Sequence, residues 1–185
     1  MDLHRLALFC HVAAMIGLFS ALVIEGVSLR SLRRATSYEQ AREWAGLWNL
    51  LAPLGLPSLL VVLASGIYLA TTYGLWESGW TRTAIPTLVI VAVAGGIVGP
   101  RRNRLRAAIA TGAGPLPLDL RMQLRQPLLL ASWRFRAALI VWLVFDMTAK
   151  PDFSGVLLIS TAALIGIALS LPAWIAQATT SKVGP

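Results

Sequence analysis

Near the N-terminus two histidines and a glutamate recur at heptad spacing: His4, His11 and Glu25, with Leu18 in the remaining place. On an α-helix each heptad step drifts only about 20 degrees, so the four residues share one stripe. Ionisable side chains are costly in lipid, and such a stripe should face the interior of a helical bundle. His4 and His11 would lie about 10 Å apart along the helix axis, with Glu25 about 21 Å beyond His11, so one helix supplies no ready-made mononuclear metal site. A single intramembrane histidine can still ligate haem iron axially, relay a proton or make an interhelical hydrogen bond. There is no third histidine, so a second axial ligand beside His11 would have to be a methionine such as Met15 or Met147, water, or a group from a second copy of the chain. An interhelical hydrogen bond is the commoner role for such a group, and His4, at the outer boundary, needs only solvation.

Three more charges fall in a later apolar run. Arg134 and Arg136, in Trp133-Arg134-Phe135-Arg136, can snorkel to the interface, or one of them can pair with Glu25 at similar depth. Asp146 can meet Lys150 four residues on, or Arg5 from the first helix. These pairs would fix the first helix against the one bearing Arg134 and Arg136. No residue is assigned a catalytic role, because the chain has no phosphate loop, no Gly-x-Ser-x-Gly, no His-Glu-x-x-His and no carboxylate pair at hydrolytic spacing. The lone Cys10 excludes an intrachain disulfide and a cysteine-based zinc site.

The elements that position these residues follow from composition. Of 185 residues 57% are hydrophobic and 13% charged, and the mean hydropathy is +0.71. A chain this apolar has too little polar surface for a single water-soluble core, so lipid must solvate much of it. Windows of about 20 apolar residues predict an all-α, polytopic transmembrane bundle, a single domain over residues 1–185. Its five spans are expected near 5–28, 47–71, 84–99, 128–149 and 154–177, the third being the shortest. A cleavable leader is not expected at the N-terminus, because the first run is full-length, begins near Asp2 and ends in a basic cluster.

Orientation follows from Lys and Arg, which resist translocation. Arg30, Arg33, Arg34, Arg42, Arg101, Arg102, Arg104, Arg106, Arg121, Arg125 and Lys182 fall on one side, and Arg5, Arg82 and Lys150 on the other. The first side is expected to be cytoplasmic, with the N-terminus outside and the C-terminus inside. The net charge of +8 then belongs to topology and to anionic lipid heads on the cytoplasmic face, and not to nucleic acid. Trp44, Trp48, Trp133 and Trp174 mark the inner boundary, Trp76 and Trp80 the outer one, and Trp142 falls deep.

The cytoplasmic loop 100–127 opens with an Arg-rich helical stretch, breaks at Thr111-Gly112-Ala113-Gly114-Pro115 and resumes at Leu118. It is expected to form one or two amphipathic helices on the membrane surface. Small-residue pairs at Gly95 and Gly99, Gly66 and Ala70, and Ala162 and Gly166 should let helices approach closely, within the bundle or in a homodimer. Pro53, Pro57 and Pro172 are expected to kink their helices.

Leu6-Ala7-x-x-x-His11-Val12-Ala13-x-x-x-Gly17 and Met147-Thr148-Ala149-Lys150-Pro151-Asp152 resemble small bacterial integral membrane proteins classed as a domain of unknown function. More remotely, the early histidine and the Pro-bearing second helix with Pro53, Pro57 and Gly66 are similar to the CopD copper-resistance and HemJ protoporphyrinogen-oxidase group. That resemblance implies a haem or metal role for His11. The group places a lysine after a tryptophan early in its third helix, whereas here Trp80 is followed by Thr81 and Arg82, and arginine does not readily give up its proton. The leading expectation is an accessory or structural subunit of a membrane assembly or a homo-oligomer, not an enzyme, in a bacterial cytoplasmic (inner) membrane. The alternatives are a haem-b redox protein with His11 as axial ligand, and a small-solute or ion permease using the path from His11 to Glu25.

Overall fold

A computed structural model describes residues 2–150, and they are helical with no strand among them. The long helices are α1 (Leu3–Leu32), α3 (Leu51–Thr72), α4 (Gly79–Thr111) and α6 (Pro127–Ala149). Two short ones, α2 (Tyr38–Gly46) and α5 (Leu118–Arg125), lie between them in sequence. Four stretches are long and apolar enough to cross a membrane, each containing one of the long helices. The expected fifth span, 154–177, and its Ala162/Gly166 pair lie outside the described residues.

The faces of α1 show what solvates the bundle. Ala14, Leu18, Ala21, Leu22, Glu25, Ser28, Leu29 and Leu32 are buried at helical spacing. The opposite face, Phe9, Val12, Ile16, Phe19, Val23 and Val27, is exposed and wholly apolar, with Ile16 63% exposed. A helix whose outward face is apolar while its inward face holds the carboxylate has its polarity arranged for lipid. The same holds for Val89, Ile90, Val93 and Ile97 on α4 and for Val141, Val144 and Phe145 on α6. The protein is an integral membrane helical bundle.

The third span departs most from expectation, since α4 is the longest helix at 33 residues and runs through both Pro86 and Pro100. Proline removes one helical donor, but packing can outweigh that loss. Val98, Leu105 and Ile109 continue one buried stripe beyond Pro100, against Leu29, Leu32, Ala41, Ala45 and Trp48. The first half of the expected surface loop is therefore a helical extension packed into a second apolar core, and α5 adds Leu120 and Leu124 to it. α4 stops at Gly112, which is extended, where a Cβ would collide with the Tyr38 ring. Gly114 then takes φ +77, a left-handed conformation suited to glycine.

This Arg-rich end is laced by main-chain bonds. Tyr38 N–H donates to Gly114 O at 2.9 Å and Leu116 N–H to Thr36 O at 2.9 Å. Arg42 donates to Ala110 O and Gly112 O at the end of α4, where free carbonyls attract cations. Arg121 donates to Thr36 O, and Arg125 to Arg33 O. Several of the arginines that signal topology thus also close the ends of helices.

Two close approaches hold α1 in place. Gly66 on α3 comes so near His11 that its Cβ would stand 3.3 Å from the imidazole Cε1. Gly26 lies against the Trp133 ring, whose Nε1 donates to Leu22 O at 2.7 Å. Gly99 has nothing within 4 Å among the described residues, so the Gly95/Gly99 pair makes no close helix contact there at its second position. Replacing Gly26 by Val should drive a branched side chain into the indole and cost about 1–3 kcal/mol. The apparent melting temperature in detergent should fall, whereas Gly46→Ala, at a helical position with open space around it, should leave that temperature within error.

Candidate functional site

The heptad stripe of α1 reaches two sites, one towards each end of the bundle. At the Arg-rich end Glu25 is buried and receives Arg136 from α6, with Nη2 to Oε1 at 2.7 Å. Arg102 from α4 approaches the same oxygen at 3.5 Å. Three helices thus meet on one carboxylate. Arg136 passes alongside Gly95 on α4, where a Cβ would stand in ordinary contact 3.7 Å from Nη1. One turn earlier on α6, Ser132 donates to Ala94 O at 3.2 Å, and Arg30 lies 5.5 Å over the Trp133 ring. A cavity of about 280 Å³ opens beside the cluster, lined by Glu25, Arg102, Arg136, Gly55, Gly95 and apolar side chains. Arg134 lies exposed on another face of α6, away from this cavity's lining.

At the other end His11 is half-buried, and its Nδ1 lies 3.2 Å from Val62 O and 3.1 Å from Ser65 Oγ. With Nδ1–H donated to the carbonyl, Nε2 makes no hydrogen bond among the described residues. His11 lines a largely apolar cavity of about 230 Å³ together with Gly66, Tyr73, Trp76, Trp80 and Met147. Of the two methionines considered beside His11, Met147 is therefore the one that shares its cavity; Met15 packs against the apolar core. His4 is more than solvated, because its Nε2 hydrogen-bonds the Tyr73 hydroxyl and its ring stands edge-on to the phenol at 4.5 Å.

Asp146 is fully buried but meets neither expected partner. Thr83 Oγ1 donates to its Oδ2 at 2.7 Å, and Oδ1 has no partner among the described residues. Lys150 caps α6 in the left-handed region, at φ 46, and this takes its side chain off the helix face to stand 5.8 Å over the Trp80 ring. Arg5 pairs loosely with Asp2 at 3.8 Å, both well exposed. Arg82 is held by Glu77 and Trp76 O and does not line the His11 cavity, although Trp80 and Thr81 do.

Between the two sites lies an apolar layer. Ala14, Leu18 and Leu22 of α1 pack with Leu59, Val62, Leu88, Val91, Ile140 and Leu143, and no residue lines both cavities. Among the described residues no group of three His, Cys, Asp or Glu side chains comes together to hold a metal ion. The arrangement offers one imidazole nitrogen in an apolar cavity, and one carboxylate with two guanidiniums beside another.

The residues that sequence reasoning missed are Arg102, Ser65, Thr83 and Tyr73. Arg102 counted only towards topology; it follows Gly95 by one heptad, so continuing the helix past Pro100 would have put both on one face. The other three carry no signal until the helix registers are known.

No family model matches this chain, and no solved structure matches it. A UPF0182 protein from Geobacter sulfurreducens is 31% identical to it over 90 residues, which make up 48% of this chain and 10% of that protein. The chain thus aligns with about a tenth of the length of that curated relative.

Proposed function

We propose that this membrane protein is an accessory or structural subunit of an assembly in a bacterial cytoplasmic membrane, with its N-terminus outside and its Arg-rich end in the cytoplasm. One observation carries the reading: the polar groups inside the bundle are spent on joining helices. Glu25 joins α1 to α6 and α4, His11 joins α1 to α3, Asp146 joins α6 to α4, and Trp133 joins α6 to α1. The apolar layer between the cavities also speaks against a polar path from His11 to Glu25, and so against a permease.

The orientation is supported by the gathering of Arg30 to Arg125 around one end, against Arg5, Arg82 and Lys150 at the other. A fifth span over 154–177 would return the chain to the Arg-rich side with Lys182. A reporter fused after Pro185 should be active only in the cytoplasm, and a periplasmic signal would reject the five-span arrangement. If the charge cluster is scaffolding, Glu25→Gln should leave two guanidiniums facing each other and lower stability by about 3–5 kcal/mol. Adding Arg136→Gln should recover part of the lost yield of monodisperse protein. An unchanged yield in Glu25→Gln would remove the scaffolding role.

The free Nε2 of His11 favours a second reading, a haem-b redox protein. Donation of Nδ1–H to a backbone carbonyl is how ligating histidines are commonly fixed, and His11 with Met147 would hold the iron between them. The apolar walls suit a porphyrin face, although 230 Å³ takes only part of one. Bound there, the haem would supply one-electron transfer, while the chain would orient the imidazole and exclude water. On this reading the purified protein gives a haem band in a reduced-minus-oxidised spectrum that His11→Ala abolishes. A flat spectrum from cells with ample haem would leave His11 as a joint between helices.

A further inference from the structure

The charge cluster is short of acceptors. Arg102 and Arg136 face one oxygen of one carboxylate, so the group carries a net positive charge. Two guanidiniums bring roughly ten N–H donors between them. Among the described residues their one hydrogen bond is Arg136 Nη2 to Glu25. Arg136 is only 7% exposed, and its Nε is buried with no acceptor among the described residues.

Other carboxylates do not make up the deficit. Glu39, Glu43 and Asp119 are exposed on the short helices α2 and α5, and Asp2, Glu77 and Asp146 lie at the opposite end. Beyond Lys150 the sequence has one acidic side chain, Asp152. An excess of guanidinium beside an apolar cavity, with Arg136 buried and the Arg102 side chain 22% exposed, calls for an anion, and a planar fork of donors suits phosphate oxygens.

The cavity's shape says what carries that anion. The two arginines stand at one end, and the walls continue towards the middle of the bundle as Leu18, Leu59 and Val91. Its edge reaches the lipid-facing surface at Leu56, which is 61% exposed. Gly55 and Gly96 keep it open, since a Cβ on either would meet nothing within 4 Å. A cationic end, an apolar length and an opening to lipid together match an amphiphile.

We infer that this cavity binds an anionic phospholipid, with the phosphate at Arg102 and Arg136 and acyl carbons along Leu18, Leu59 and Val91. The site requires only that the bundle lie in a membrane, and it is independent of the accessory reading.

Delipidated protein in a neutral detergent should be titrated with phosphatidylglycerol, phosphatidylcholine or inorganic phosphate, with binding read by native mass spectrometry and by the melting temperature. Phosphatidylglycerol should bind and raise the melting temperature; phosphatidylcholine and inorganic phosphate should do so far less. Arg102→Gln keeps the Arg136 to Glu25 pair and should weaken phosphatidylglycerol binding by about tenfold or more. Gly55→Leu, which fills the cavity from an open position, should weaken it comparably while leaving both arginines. Equal binding of phosphatidylcholine, or unchanged phosphatidylglycerol binding in folded Arg102→Gln and Gly55→Leu, would overturn the assignment. Inorganic phosphate matching the lipid at equal concentration would also overturn it, and would make the site one for a free anion.

Discussion

A carboxylate placed in the apolar part of a bilayer has no water to turn to, so its partners must come from the chain or from a ligand. Glu25 imposes that requirement on the whole bundle. Arg136 has to arrive from α6 and Arg102 from α4, and both must do so at the height of one oxygen. Arg136 passes Gly95 on its way in, and Trp133, one turn earlier on α6, locks the same helix to α1 through Leu22 O. The long extension of α4 past Pro100 belongs to this constraint too. Had the helix ended at Gly99, Arg102 would sit in a loop without a fixed register.

The bundle is built as two apolar cores joined end to end. The mid-bundle core gathers Leu18, Val62, Leu88, Ile140 and Leu143, whereas the core at the Arg-rich end is made from α2, α5 and the end of α4 around Trp48, Leu105 and Ile109. Their apolar side chains also wall the two cavities: Val62 and Leu88 face the one beside His11, and Leu18, Leu59 and Val91 the one beside Glu25. His11 and Glu25 share a helix face and line different cavities. Their common heptad register reflects that one face of α1 is inward.

Much of this was legible in the sequence, because a heptad stripe of charge in an apolar run has only one sensible direction to face. Depth and period set His11 and Glu25 on one inward stripe and offer Glu25 either Arg134 or Arg136; only the helix register selects Arg136. The unreadable parts are of two kinds. Gly99-Pro100 looks like a helix end, and only tertiary packing of Leu105 and Ile109 carries the helix through it. Asp146 and Lys150 look like a helical i,i+4 pair, but that rule needs both residues on the helix, and Lys150 is its left-handed cap. Thr83 as the partner of Asp146, and Tyr73 as the partner of His4, depend on how far α4 and α3 slide against their neighbours, which no local pattern records.

The arginines carry the last step. Basic residues gathered at one end are usually read as a topology signal and nothing more, and by count this chain fits that reading. Yet Arg42 closes the carbonyls at the end of α4, Arg121 and Arg125 hold the turn after α1, and Arg106 donates to Asn49 at 2.6 Å. Each of those four donates to at least one oxygen of the protein, although Arg121 Nε is buried with no acceptor among the described residues. Arg102 and Arg136 differ in that both line the cavity and find one carboxylate oxygen between them. A charge retained at the surface costs little, whereas a charge retained inside has to be matched. That contrast singles out the inner pair, among so many arginines, as the place where something other than protein belongs.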